Sequence, residues 1–332
     1  MDKAEYLDIK SQMSFDRPFW ITAAVMLADA VLVWCALELL SMEGWLPFIT
    51  SQILLAVFYF HNFALIHEAG HGNIHKKRWV NDVLGHYFSL FSFQPYYPWK
   101  FIHQQHHTYV GNVDKDPSMD KIKKVRDENK VSWVYEFAWK SWIPLAGLML
   151  QITFMTYPYR LWKSGEMTPK SFWLSLFSVL FMLVAYASLF LLFPETVNFK
   201  NIFLSYVFYL VLNELVNLPH HLQMPSFRDS ANIRKVHPWQ QHVLTRSCHY
   251  GWLSAPLALN FNYHTEHHFF PNLPWYRLKQ LRAILKPRLD DEYTELVGIA
   301  WNIKNRAISA KDIVLPEFSH PLLDELAKKQ QA

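Results

Sequence analysis

Four long apolar runs constrain this 332-residue chain more than any other feature. They cover roughly residues 18–40, 46–66, 172–193 and 199–218, and the third carries no formal charge over its whole length. Each is close to the ~20 residues that a helix needs to cross the hydrocarbon core of a bilayer. Pro18 falls near the first turn of the first run, where its missing N–H costs nothing. That run is too long for a signal peptide, and no small-residue cleavage site follows it. Charged residues make up only 18% of the chain, against about 25% in soluble domains. Apolar residues make up 51%, which excludes disorder for most of the length. A mean hydropathy near zero still leaves room for a large polar portion. The expected fold is an all-α membrane protein built as a single domain, 1–332.

The four runs form two hairpins. Their connections, Ser41–Trp45 and Pro194–Asn198, contain no Lys or Arg, whereas the opposite side is rich in both, including Arg17, Lys76, Lys77, Arg78, Lys121, Lys163, Lys170 and Arg234. The positive-inside rule then predicts that both termini and the long loops (67–170 and 219–332) form a cytoplasmic helical cap. Two further apolar segments, Val80–Trp99 and Trp133–Tyr157, are interrupted by Pro95, Pro98, Pro144 and Gly147 and read as interfacial helices. Asp29 and Glu38 lie within the first run; the reading expects a helix-facing polar contact for Asp29 and an interfacial place for Glu38. The tail beyond Pro271 reads as helical and soluble.

Histidine carries the chemistry. Three clusters stand out: His67-Glu-Ala-Gly-His71, His103-Gln-Gln-His106-His107 and His264-Thr-Glu-His267-His268. Residues three and four apart share a helix face, so each cluster aims two or three imidazoles in one direction. Eight nitrogen ligands exceed what one ion uses and suit two, although imidazole by itself does not choose between iron, zinc, copper and nickel. The first cluster begins where the second run ends, and the fourth run returns to the same side at His220-His221. Cys35 and Cys248 are the only cysteines and form no C-x-x-C pair, which excludes a disulfide framework and a thiolate zinc site. The +4 net charge is too weak to suggest nucleic acid as a partner.

Paired spans, the order and spacing of the boxes, and the Phe-Phe-Pro271 that trails the third box resemble the integral-membrane fatty acid desaturases. That histidine-box group also includes carotenoid ketolases and alkane hydroxylases. The combination of His103-Gln-Gln-His106-His107 with Asp114-Lys-Asp-Pro117 leans toward acyl-lipid desaturases. The resemblance implies two Fe ions held by the eight box histidines, with O2 as oxidant. It also implies a ninth histidine near the end of the fourth span, with an Asn one turn earlier acting through water. Asn217 and His221 fit that relation, and His220 is a rival because Pro219 can end the helix and rotate the residues after it. His75 and His242 come next, as surface or outer-sphere residues. Ligand imidazoles need partners for their second nitrogen. Glu68, Glu214, Glu266, Asn213, Asp114 and Asp116 are near enough to supply them, the last two being plain surface charges in the simpler reading.

The function expected is introduction of a double bond into a fatty acyl chain on a lipid or acyl carrier. Electrons would come from a separate ferredoxin, cytochrome b5-type or flavoprotein donor. The 17 residues before the first run hold no His-Pro-Gly-Gly haem motif. A hydroxylase or ketolase of a lipophilic substrate shares the same metal site and is the alternative. A metal transporter would place its ligands at the bilayer midplane, where these do not fall.

Overall fold

The computed structural model describes residues 1–164, 168–233, 235–289, 294–295 and 309–329; Arg234 and much of the tail expected to be helical lie outside them. The helices in chain order are α1 (Lys3–Ser11), α2 (Phe19–Leu40), α3 (Trp45–His71), α4 (Arg78–Ser92), α5 (Tyr96–Tyr109), α6 (Asp120–Glu128), α7 (Trp133–Lys140), α8 (Leu145–Ser164), α9 (Pro169–Leu192) and α10 (Phe199–His221). They continue as α11 (Ser254–Ala258), α12 (His264–Phe269), α13 (Leu278–Leu285), α14 (Ala310–Val314) and α15 (Pro321–Lys329). One two-residue parallel pair, Cys248–His249 with Thr294–Glu295, is the only named sheet among the described residues. The protein is an all-α membrane protein: α2, α3, α9 and α10 are long and apolar enough to span a bilayer.

The spans begin and end where local chemistry dictates. Gly44, at φ 111°, turns α2 into α3. The apolar run predicts an end at residue 66, but α3 continues to His71, because nothing breaks it before Gly72 closes it in the left-handed conformation. Gly70 sits inside that last turn, where an added Cβ would lie 2.5 Å from the Trp99 ring. The first histidine box is therefore the final turn of a span. Likewise α10 runs through Pro219 to His221. A proline there forfeits a single i→i−4 bond near a terminus that is about to end anyway.

The segments read as interfacial are each broken in two. Phe93, at φ 58°, and Pro95 separate α4 from α5; Trp142, at φ 59°, separates α7 from α8. The first of these helices does not lie apart on the bundle's end. α4 packs antiparallel along α3 and buries Asn81, Gly85, Phe88, Ser89 and Ser92. Gly85 leaves the space that the Tyr96 ring fills. Its terminal carbonyls are capped from the spans themselves: the Tyr186 hydroxyl donates to Leu90 O at 2.8 Å, and the Tyr209 hydroxyl to Ser92 O at 2.8 Å. α8 is held on α10, where Gly147 N donates to Glu214 Oε1 at 2.8 Å.

Asp29 is buried, as the helix-facing reading expects, with its Oδ1 2.6 Å from His61 Nδ1. His61 Nε2 lies 2.9 Å from Pro256 O. Two ring nitrogens facing two oxygens require two protons in the group, so the pair is either imidazolium with carboxylate or imidazole with carboxylic acid. Neither leaves a net charge in the apolar interior. Glu38 stays at the exposed end of α2 and accepts from Trp34 Nε1 at 3.1 Å.

Candidate metal centre

Four helix segments bring the histidines together. The last turn of α3 carries His67 and His71, α5 carries His103, His106 and His107, the end of α10 carries His220 and His221, and α12 carries His264, His267 and His268. Their ring nitrogens form two groups. One contains His67, His71, His103, His107 and His267; the other contains His106, His221, His264 and His268. Within each, the candidate ligand atoms lie within 4.8 Å of one another. The sequence order of the boxes does not follow this division. The second box gives two members to the first group and one to the second, and the third box does the reverse.

The contacts inside the groups are Nε2 to Nε2. In the five-histidine group they are 3.0 Å (His67–His267), 2.9 Å (His71–His103), 3.0 Å (His103–His107) and 2.9 Å (His107–His267). In the four-histidine group they are 2.8 Å (His221–His264) and 3.1 Å (His264–His268). Hydrogen bonding alone explains them poorly. A ring nitrogen has one in-plane position, for a proton or a lone pair. Yet His103, His107, His264 and His267 each approach two neighbours. A shared ion accounts for the spacing directly. Imidazole nitrogens about 2.1 Å from a divalent ion lie about 3 Å apart at right angles and about 4 Å apart in opposition. Burial and the neighbouring imidazoles hold His103, His107, His264, His267 and His268 well below their ordinary values. They are thus neutral and offer lone pairs.

Outer partners fix the tautomers of several rings. Asp116, 1% exposed, lies 3.0 Å from His106 Nδ1. Gln241 Oε1 is 2.8 Å from His268 Nδ1, Leu244 O is 3.4 Å from His221 Nδ1, and Glu68 Oε1 is 3.3 Å from His67 Nδ1. Each holds a proton on Nδ1 and leaves Nε2 to face its group. Asp116 is thus no surface charge, whereas Asp114 pairs outward with Lys123 at 2.8 Å. Gln241 and the Leu244 carbonyl are not legible in the sequence, because nothing in Gln-Gln-His-Val-Leu distinguishes them from the adjacent His242. The other candidates do different work. Glu266 accepts from Ser247 Oγ at 2.5 Å and Arg282 Nη1 at 3.2 Å, which anchors α12. Glu214 holds α8. His75 accepts from Lys77 N at 3.0 Å, and His242 packs on Phe269; neither belongs to either group. His220 stacks on His264, with centroids 4.3 Å apart, and neither of its ring nitrogens has a hydrogen-bond partner among the described residues. Asn217 donates to Asn213 O and Oδ1 at 2.9 and 3.1 Å.

Residues 43–299 match the model of the family described as fatty acid desaturase, which covers well over half of the chain. The chain belongs to the fatty acid desaturase family. It is 25% identical over 272 residues to the sn-1 acyl-lipid omega-3 desaturase (ferredoxin) of Synechocystis, covering 76% of this chain and 71% of that one. The sn-1 oleoyl-lipid 12-desaturase of Picosynechococcus is 24% identical over 308 residues, covering 86% and 82%. The omega-3 fatty acid desaturase fat-1 of Caenorhabditis elegans is 23% identical over 283 residues, covering 80% and 68%. These relatives are oxidoreductases, and the two histidine groups are where a desaturase of this kind can hold metal.

Proposed function

We propose that this desaturase introduces a double bond into the acyl chain of a membrane lipid, with O2 as oxidant. Two irons would be held at the two groups, one by the five histidines and the other by the four. The single observation that carries the reading is the convergence of nine histidine rings into two groups, with ring nitrogens at the spacing of ligands about an ion. Bound iron would supply the oxidant that an unactivated methylene demands and that no side chain can provide.

The residues of the chain have three tasks. The box histidines, with His221 as the ninth, present neutral lone pairs. Asp116, Gln241, Glu68 and the Leu244 carbonyl hold the rings in register by retaining a proton on Nδ1. The buried surroundings keep water from the oxidising centre; His264, His267 and His268 are each at most 4% exposed. The basic residues at the histidine end of the bundle favour a cytoplasmic site with both termini on that side. Electrons would then come from a separate donor; three of the relatives carry ferredoxin in their names.

Expression in a host with a simple lipid profile, followed by mass spectrometry of fatty acids and carotenoids, tests the reading. Loss of two hydrogens from an acyl chain is expected. Gain of oxygen would make the protein a hydroxylase or ketolase and overturn the desaturase reading while leaving the metal centre in place.

A further inference from the structure

The loop that leads into the third histidine box is pinched at its neck. Cys248 N donates to Asn262 O at 3.0 Å, and Asn262 Nδ2 donates to Cys248 O at 2.7 Å. The residues between them form an Ω-type loop whose chemistry is wrong for an aqueous surface. Trp252 is 82% exposed, and Leu253, Ala255 and Pro256 are exposed beside it.

Its depth explains this. The Pro256 carbonyl is tied to His61, which is tied in turn to Asp29. His61 stands ten residues before His71 on α3, and Asp29 ten residues into α2 from Phe19. At 1.5 Å per residue, each is about 15 Å from the histidine end of its helix. The apolar run of α3 ends five residues after His61, and the 22 residues of α2 are about as long as the ~30 Å hydrocarbon core, so Pro256 lies beside the spans and not beyond their ends.

The inner end of the loop reaches the metal centre. Leu259 and Phe261 line a small void together with Ala64, Trp275 and two members of the five-histidine group, His67 and His267. The void is too small for a methylene chain as it stands. Left-handed residues flank the intervening α11: Gly251 at φ 58° before it, and Leu259 at φ 43° with Asn260 at φ 55° after it. A leucine rarely adopts that conformation, and paired changes of backbone angle at loop ends are how lids swing.

We infer that residues 251–261 form a bilayer-embedded gate through which the acyl chain of a membrane lipid enters sideways toward the five-histidine group, with the His61–Pro256 contact as its latch. This rests on the acyl-lipid desaturase reading.

Two measurements test it. The first places a nitroxide on Trp252→Cys in a Cys35→Ser background, with the protein reconstituted in phosphatidylcholine vesicles. O2 should relax that label more than a water-soluble nickel chelate does, and a label on Lys163→Cys should show the opposite order. A water-accessible label at 252 overturns the gate. The second narrows the void with Ala64→Val and Ala64→Leu, reading iron content beside product. Ala64→Leu should lower product at least tenfold with iron unchanged; wild-type turnover overturns the route. If Ala64→Leu loses iron, Ala64→Val decides by a graded fall in product at wild-type iron. A wild-type chain that desaturates nothing overturns the reading and the acyl route with it. A wet nitroxide in a chain that does desaturate overturns the gate alone.

Discussion

Asp116→Ala should release one metal ion and spare the other. The carboxylate is buried and makes three contacts: His106 Nδ1 at 3.0 Å, Ser118 N at 2.9 Å and Ser118 Oγ at 2.7 Å. The first holds the proton that leaves His106 Nε2 free to face the four-histidine group. Losing such an outer partner weakens metal binding about 10–100-fold, or about 1.4–2.7 kcal/mol. Asp116 makes no hydrogen bond to the five-histidine group, so the cost falls on one ion. Loss of the cap on the short helical turn at Pro117 adds about 1 kcal/mol of instability, and Ser118→Ala controls for local disturbance. The assay is a chelator titration of purified protein with iron counted in the retained fraction. Wild type should hold two ions. Asp116→Ala should lose one at 10–100-fold less chelator while the second follows the wild-type curve, and Asp116→Asn, which keeps an acceptor oxygen, should fall between. Simultaneous loss of both ions, or retention of both at wild-type strength, refutes the reasoning.

Four further outcomes are expected. Alanine at His103, His107, His264 or His268 should abolish product while the protein stays in the membrane, and turnover in any of the four removes that ligand. His221→Phe should empty the four-histidine group, whereas His220→Phe should keep both ions; the reverse pattern in iron counts would exchange their roles. Asp29→Ala should destabilise the fold by about 3–5 kcal/mol by leaving His61 buried without its partner. Replacing both Asp29 and His61 with Leu should recover most of that in thermal unfolding, and equal losses in the single and double variants contradict the pairing. In intact cells, a cysteine at Lys163 should be shielded from impermeant thiol reagents and one at Thr196 labelled, in a background without Cys35; the opposite pattern inverts the topology.

Much of this protein is legible because spans and boxes are written in local code. The four apolar runs, their pairing by short Lys-free turns, and the three histidine clusters each depend on neighbours within a few residues. The boundaries are less legible. α3 outlasts its apolar run by five residues until Gly72 closes it, and its last turn packs through Gly70 against Trp99, a residue about thirty positions away. Val80–Trp99 reads as an interfacial helix from its aromatic residues and prolines, whereas the polar residues Asn81, Ser89 and Ser92 of α4 are buried against other helices; the Ser92 carbonyl meets the hydroxyl of Tyr209.

The sequence by itself determined that this is a helical membrane protein with more imidazoles on one side than a single ion can use. Only the tertiary structure decided how they are shared. Residues three and four apart share a helix face in general direction, but α5 turns His103 and His107 to one group and His106 to the other. Which group each ring joins depends on where α12 and the end of α10 lie across from it. The same holds for the partners: Asp116 and Gln241 become rigid holders of His106 and His268 through burial and an approach of 3 Å or less, neither of which is encoded in the residue alone. Side-chain chemistry is a property of the sequence, whereas the distances that turn nine imidazoles into two sites are set by the packing of helices far apart in the chain.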